Sequence, residues 1–499
     1  MKKINARMVF HIICIVLRFN GLFILLSSLV GFLYEEESAM QMMWSGLFVV
    51  ALSFINLTFK KNKEKALNKR DGYLIVALSW VVLTLSGALP YIFTGTISNF
   101  TNAAFESISG FTTTGSSILL DIESMPKGVL FWRSMTHWLG GMGIIVLAVA
   151  ILPLLGIGGM QLFVAEAPGP SADKLRPRIA DTAKRLWLLY IALTGAQSVL
   201  LKVAGMNWFD SINHSLCTLS TGGFSTKNSS VAYWNDSPII QYIIIFFMLI
   251  AGANFVLTYF ALKGKINKLF GNEEFKYYLG IVLGFTIIST LGIYYFADPS
   301  LSTIDHPMVW GEFESAFRHA LFQVLAVITT TGFVTADFTM WTSFLTVLFF
   351  GMMFLGGSAG STSGGVKFVR HIIMIKNGMM EFKRLLHPNA IIPVRFGGKA
   401  VKPTIVYNIL GFFVIYMSFF IVGALLLSLM GLDFTSAIGA SATSLGNVGP
   451  GLGDISPVDN FAGIPTAGKW VCAFLMIIGR LELFTFLIIL TPYFWSDRY

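Results

Sequence analysis

Charged side chains are scarce in this sequence: Asp, Glu, Lys and Arg make up 12% of its 499 residues, against about a quarter in a water-soluble chain. That deficit excludes a molecule whose whole surface faces water. Cysteine is nearly absent. Its three copies, Cys14, Cys217 and Cys472, are scattered through apolar or pore-like segments, which makes neither a disulfide framework nor a metal site. The seven histidines stand apart with no HxxxH companion, and HExxH and GxGxxG are missing. Metal-hydrolytic and nucleotide chemistry therefore lack their residues. The expectation is a chain that is not an enzyme and carries no cofactor.

What the sequence has is apolar length. Hydrophobic residues make up 55% of it, with 45 phenylalanines, and its mean hydropathy is +0.71. A helix crosses about 30 Å of hydrocarbon with roughly 20 apolar residues. Ten segments reach that length: 9–33, 39–59, 72–95, 128–157, 186–206, 238–262, 277–297, 342–376, 403–430 and 467–493. The first follows Lys2, Lys3 and Arg7 and is interrupted by Arg18 and Asn20. It is too long for the apolar core of a signal peptide and lacks a small-x-small cleavage site, so it reads as a retained span.

The net charge of +9 sits in short loops, without the basic face and interleaved aromatics of a nucleic-acid binder. Lys and Arg crowd into loops 60–70, 174–185, 263–276 and 376–402. The alternate loops carry Glu35, Glu36, Glu37, Asp121, Glu123, Asp236, Asp298, Asp305, Asp454 and Asp459. Basic loops mark the cytoplasmic side, so both termini are expected there, with lipid around the spans.

Four segments, 99–118, 208–226, 313–335 and 434–450, are too polar to span and too apolar for open loops. Each climbs to a glycine: Thr113-Thr114-Gly115-Ser116, Thr221-Gly222-Gly223-Phe224, Thr330-Thr331-Gly332-Phe333 and Ser444-Leu445-Gly446-Asn447. The third residues of these quartets stand 108, 109 and 114 positions apart. Any one of them is an ordinary turn or helix cap. Four at a near-constant period, each between two spans, are a repeat. Irregular backbone at membrane depth persists only when buried in protein or lining a wet path. Glycine lets such a turn point carbonyl oxygens inward, where they replace a cation's hydration shell. One turn is one wall, and four make a pore.

The expected fold is therefore an all-α integral membrane protein of ten transmembrane helices. Four M1–pore-helix–M2 repeats (71–165, 166–270, 271–390 and 391–499) surround a pseudo-fourfold pore, and two extra helices (1–70) precede them.

The four turns, with HWLGGMGIIVLAVAILPLLGIGGMQL (137–162), AEAPGPSADKLRPRIADTAKRLW (165–187) and SLGNVGPGLG (444–453), make the chain resemble the TrkH family of potassium uptake proteins. That superfamily also holds KtrB and plant HKT transporters. The resemblance covers essentially the whole chain, and the two leading spans look more like TrkH than KtrB. It implies potassium uptake across a bacterial cytoplasmic membrane. The implied filter is Thr113, Thr114, Gly115, Thr221, Gly222, Gly223, Thr330, Thr331, Gly332, Ser444, Leu445, Gly446 and Asn447, holding K+ as substrate. In this family glycine at the third filter position goes with potassium preference, and serine in the first repeat with sodium passage. The resemblance further implies a homodimer and cytosolic, nucleotide-binding TrkA-type regulatory subunits. Obligatory coupling to protons or sodium is the alternative within the same fold.

The eighth segment contains GGSAGSTSGGVK (356–367), with five glycines, each costing about 1 kcal/mol against alanine inside a helix. One reading is a close helix contact through small residues; an unwound segment suits so long a run better. The resemblance places an intramembrane gating loop there, at Gly356, Gly357, Gly360, Ser361, Gly364 and Gly365. Arg480 lies near the middle of the last span, where a charge turns to a polar interior. It is either half of a buried ion pair, with Glu482 or Glu106, or, as the resemblance implies, a cation in the pore beneath the filter. Glu482, two residues on, does not share its helix face. Glu106, Arg133, His137, Arg318 and His319 either brace the short helices or snorkel to the interface. Asp121 and Asp454 either gather cations at the mouth or belong to a solvated loop.

Overall fold

The computed structural model describes residues 4–55, 69–150, 179–298 and 304–496. Most of the basic loop at 60–70, part of that at 174–185, and much of the 137–187 region used for the family resemblance lie outside the described residues. Within them the regular secondary structure is helical, apart from one antiparallel hairpin of Arg395–Phe396 with Lys399–Ala400.

Five helices are long and apolar enough to cross a membrane: Ala6–Leu33, Arg70–Phe93, Arg185–Val203, Glu273–Phe296 and Pro403–Leu429. Two further candidates are bent pairs. Pro238–Ala251 and Phe255–Leu262 meet at 113°, and Thr466–Arg480 and Phe484–Leu490 at 116°. The described residues thus hold five to seven membrane-length elements, where the sequence offers ten candidate segments, the eighth interrupted by its glycine run; the fourth, 128–157, extends beyond the described residues.

The differences have local causes. Segment 238–262 breaks at Gly252, and helix restarts behind Asn254, whose side chain accepts from the N–H groups of Val256 and Leu257. Asparagine is a favoured cap, and it lies hidden in an apolar run. Segment 467–493 breaks where Glu482 and Leu483 take φ of 53° and 57°. Segment 342–376 is helical only over Ser343–Met352 and again from Phe368 to Leu386. Segment 39–59 is described as far as Ile55 and is α-helical over Ser38–Ser53. Hydropathy reads side chains and is blind to such backbone breaks.

The polar interruptions of the first span are absorbed by neighbours. Asn20 Nδ2 donates to Ser86 Oγ at 2.8 Å, while Arg18 reaches Ser53 Oγ at 3.3 Å and lies over the Phe54 ring at 4.4 Å.

Four helices occupy the centre: Phe100–Phe111, Trp208–Leu219, Glu312–Ile328 and Phe434–Gly446. In the first, every residue from Ala103 to Phe111 is buried. Asn99, Asn207 and Asp433 cap three of them by accepting backbone N–H groups. Each helix ends inside the protein, so its last carbonyls need partners there. The turns that follow supply them.

Candidate functional site

The four central helices run into turns of one geometry. Thr113, Thr221, Thr330 and Asn447 are left-handed, with φ of 53°, 55°, 53° and 53°. The next residue in each case donates its N–H five residues back: Thr114 to Ser109, Gly222 to Cys217, Thr331 to Ala326, and Val448 to Thr443, at 2.9, 2.9, 2.8 and 3.0 Å. A glycine of positive φ follows each: Gly115 at 86°, Gly223 at 82°, Gly332 at 73° and Gly449 at 106°.

The turns meet edge to edge. A Cβ on Gly115 would lie 2.3 Å from the Gly222 carbonyl oxygen, and one on Gly223 2.1 Å from that of Thr331. One on Gly332 would lie 2.2 Å from the Val448 oxygen, and one on Gly449 2.8 Å from that of Thr114. Each glycine therefore faces the carbonyl just before the next turn's glycine, and the fourth contact returns to the first turn. The ring is closed.

This geometry corrects the fourth turn by three residues. Ser444, Leu445 and Gly446 lie inside the helix Phe434–Gly446, and Asn447-Val448-Gly449 occupies the place held elsewhere by Thr-x-Gly. The motif Ser-Leu-Gly imitates the other turns, and neither sequence nor period exposes the imitation. Asn447 takes the left-handed cap because its short polar side chain tolerates that conformation. Its Nδ2 also donates to Thr114 Oγ1 at 2.9 Å and to the Met476 carbonyl at 3.0 Å. Asn447→Ala is expected to cost about 1–3 kcal/mol, from backbone strain plus lost buried hydrogen bonds. Asn447→Gly should cost less, because glycine keeps the backbone. Thermal melts of the purified variants rank the two, and an alanine variant as stable as wild type would refute this register.

Beneath the ring lies the non-helical stretch 353–367. Gly356 N donates to the Val366 carbonyl at 2.9 Å, closing it into a hairpin-like loop, and Ser361 and Ser363 hydroxyls meet at 2.7 Å. Gly360 and Gly365 have φ of 74° and 64°, and a Cβ on Gly357 would come within 2.7 Å of the Gly252 oxygen. The loop is tied to the ends of three central helices. Thr362 Oγ1 donates to the Leu219 carbonyl at 2.9 Å, Gly364 N to Thr330 Oγ1 at 2.6 Å, and a Cβ on Gly364 would sit 2.7 Å from the Gly446 oxygen. Its outer bend is held by Glu274, which accepts from Ala359 N at 2.7 Å, and by Asn254, which donates to the Ala359 carbonyl at 2.6 Å.

Arg480 is 2% exposed and ends the helix Thr466–Arg480. It donates to the Thr362 carbonyl at 2.9 Å and to the Gly140 carbonyl at 3.1 Å. The carboxylates considered for it are engaged elsewhere: Glu482 with Arg370 at 2.5 Å and Glu106 with Arg133 at 2.6 Å. Among the described residues Arg480 has no carboxylate partner. Lys367 is a second buried cation here, and its place at the end of a glycine-rich run gives no sequence signal of that role. It donates to the Ser363 carbonyl and, at 3.3 Å, to Ser363 Oγ. Helix C-termini carry partial negative charge, which favours cations beneath the ring.

Glu106, Arg133, His137, Arg318 and His319 are all buried, which removes the snorkelling alternative. His137 Nδ1 bonds the Gly110 carbonyl at 2.7 Å and its ring stacks on Phe224 at 4.0 Å. Asp121 accepts from Asn228 Nδ2 at 3.0 Å in an exposed loop. Among the described residues no three His, Cys, Asp or Glu side chains are grouped to hold a metal ion.

A family model described as "Cation transport protein", TrkH, matches residues 38–498. The chain belongs to the TrkH family. It is 43% identical over 490 residues to the Trk system potassium uptake protein TrkH of Salmonella typhimurium, covering 97% of this chain and 98% of that protein. Against the Escherichia coli Trk system potassium uptake protein TrkG it is 33% identical over 509 residues, the whole of both chains. The fold matches the crystal structure of the potassium transporter TrkH from Vibrio parahaemolyticus with a TM-score of 0.88 at 37% identity, over 99% of this chain and 100% of that one. Membership of a transporter family agrees with the absence of enzyme motifs from the sequence. With its apolar helices it makes this a multi-pass membrane protein.

Proposed function

We propose that this protein takes up potassium across the cytoplasmic membrane, through a path that runs along the axis of the four-turn ring. The observation that carries the reading is the closed circuit of glycine–carbonyl approaches at Gly115, Gly223, Gly332 and Gly449. A ring of backbone oxygens at the ends of four buried helices is what a bare monovalent cation requires. The relatives named as potassium uptake proteins support the choice of ion.

The four turns belong to four repeats of span, short helix, turn and span, behind two leading helices, with both termini in the cytoplasm. Loop 353–367 and Arg480 close the path below the ring. Opening is assigned to TrkA-type cytosolic subunits acting on a homodimer, in keeping with the family resemblance.

Entry is drawn by an inside-negative potential worth about 2.3 kcal/mol per charge per 100 mV. Purified protein in liposomes under an imposed potential is expected to pass potassium in preference to sodium, with no proton or sodium gradient supplied. Flux that appears only with such a gradient would replace this reading by obligatory coupling.

A further inference from the structure

Neighbouring turns must be held at a fixed spacing, and the first junction is built differently from the others. Glu106 and Arg133 form an ion pair of 2.6 Å, with side chains 0% and 3% exposed. Glu106 reaches the chain that leaves Gly115: it accepts from Ser117 Oγ at 3.0 Å and from Ile118 N at 2.9 Å. Arg133 reaches the second wall. It donates to the Ser225 carbonyl at 2.9 Å, two residues past Gly223, and its guanidinium lies 3.5 Å from the Phe224 ring centroid. One planar side chain thus grips both walls.

An exposed ion pair, Lys227 with Glu123 at 3.2 Å, joins the same two chains farther out, whereas at the other junctions the hydrogen bonds between turns are neutral among the described residues. Between the second and third, Ala232 N donates to the Val334 carbonyl at 2.9 Å and Asn235 Nδ2 to the Thr335 carbonyl at 3.1 Å. Between the fourth and first, Phe461 N donates to the Ser117 carbonyl at 2.8 Å and Ser116 Oγ to the Gly449 carbonyl at 3.1 Å. Arg318, buried behind the third turn, pairs with Glu314 at 2.9 Å and bonds Gln241, not a turn carbonyl. Gln241 in turn donates to Asn235 at 2.6 Å.

We propose that Glu106 and Arg133 are positioning residues for ion selectivity, fixing the distance between the Thr114 and Gly222 carbonyls through a charged clamp behind the first two turns. The proposal rests on the ring being the ion path. Carbonyl selectivity depends on how many dipoles surround the ion and how freely they move, and a buried charge-assisted pair restrains them more firmly than neutral bonds do. Two requirements follow. Both charges are needed, because either alone is a buried unpaired ion. The guanidinium shape is needed as well, because lysine offers a single ammonium where arginine's fork reaches two acceptors.

Arg133→Lys separates shape from charge. Full-length protein in liposomes is compared for potassium and sodium flux, alongside its thermal melt, with Gly115→Ser as reference and Glu381→Gln as a variant outside the turns. Expected results are a potassium-to-sodium ratio lowered about tenfold by Arg133→Lys and by Glu106→Gln, a shift of about 1.4 kcal/mol in discrimination, and no change for Glu381→Gln. Should Arg133→Lys not fold, Phe224→Leu decides, since it removes the stacked ring but keeps the ion pair; a fall of about threefold is expected. A wild-type ratio in the folded clamp variant, whatever its melting temperature, overturns the proposal if Gly115→Ser lowers the ratio in the same assay. If Gly115→Ser also leaves the ratio unchanged, the ring is not the filter, and that reading falls with the clamp.

Discussion

Gly115→Ser is expected to lower the potassium-to-sodium flux ratio at least tenfold while leaving cation flux measurable. Two independent facts carry this. Gly115 has φ of 86°, where an L-residue is strained by about 1–2 kcal/mol. Its Cβ would also lie 2.3 Å from the Gly222 carbonyl oxygen, a backbone atom that cannot swing aside as a side-chain tip can. The oxygen must move, and with it one of the dipoles that the proposed path would present to the ion. Discrimination between two monovalent cations rests on small differences in those dipoles' placement, so about 1.4 kcal/mol lost from the difference is a tenfold change. The control is Gly195→Ala, because nothing lies within 4 Å of a Cβ there. Dual-ion flux assays on liposomes read both. An unchanged ratio in the serine variant would remove the first turn from the filter.

Arg480→Gln is expected to raise basal potassium flux by tenfold or more without any cytosolic partner. The guanidinium donates to the Thr362 carbonyl in the loop and to the Gly140 carbonyl on the opposite wall. Hydrogen bonds from charged groups are worth about 1.5–3 kcal/mol each. Losing even one frees the loop by enough for a tenfold change in its closed-to-open ratio. On the proposed path along the ring axis, removing the charge would also lower the repulsion that an entering cation meets. Arg480→Lys keeps the charge and reaches fewer acceptors, so an intermediate flux is expected. The loop's other anchors, from Thr362 to Leu219 and from Gly364 to Thr330, prevent free opening and bound the effect. A glutamine variant as quiet as wild type would show that the arginine does not hold the closure.

How much of this was legible beforehand differs element by element. Apolar length marked most of the helical segments, because burial in lipid leaves a composition signal that survives in one dimension. Glycines at 115, 223 and 332 stand where the ring needs positive φ, and Thr-x-Gly between spans announced those turns. The run at 356–367 announced a stretch that is not helix. Arg480 announced itself by being charged in an apolar segment.

Other features depend on neighbours distant in sequence. Ser444-Leu445-Gly446 and Asn447-Val448-Gly449 are equally good local candidates for the fourth turn. Only the bond from Val448 N to Thr443 and the approach of the Thr114 carbonyl to Gly449 choose between them. The breaks at Gly252 and Glu482 hide in apolar text, since hydropathy does not record dihedral angles. Arg133 suits a brace and a snorkelling cation equally well in sequence; its pairing in the interior with Glu106, 27 residues away, selects the brace.

Which segments leave water, which turns glycine makes possible and which chemistries lack their residues all follow from local composition and stereochemistry, and so are legible in one dimension. Only the packed fold sets the register of the fourth turn, the breaks in the spans and the partners of Glu106, Arg133 and Arg480. Those depend on which backbone dipoles and side chains the fold brings together, and an unpaired group costs enough when buried that the pairing, not the sequence neighbourhood, settles its place.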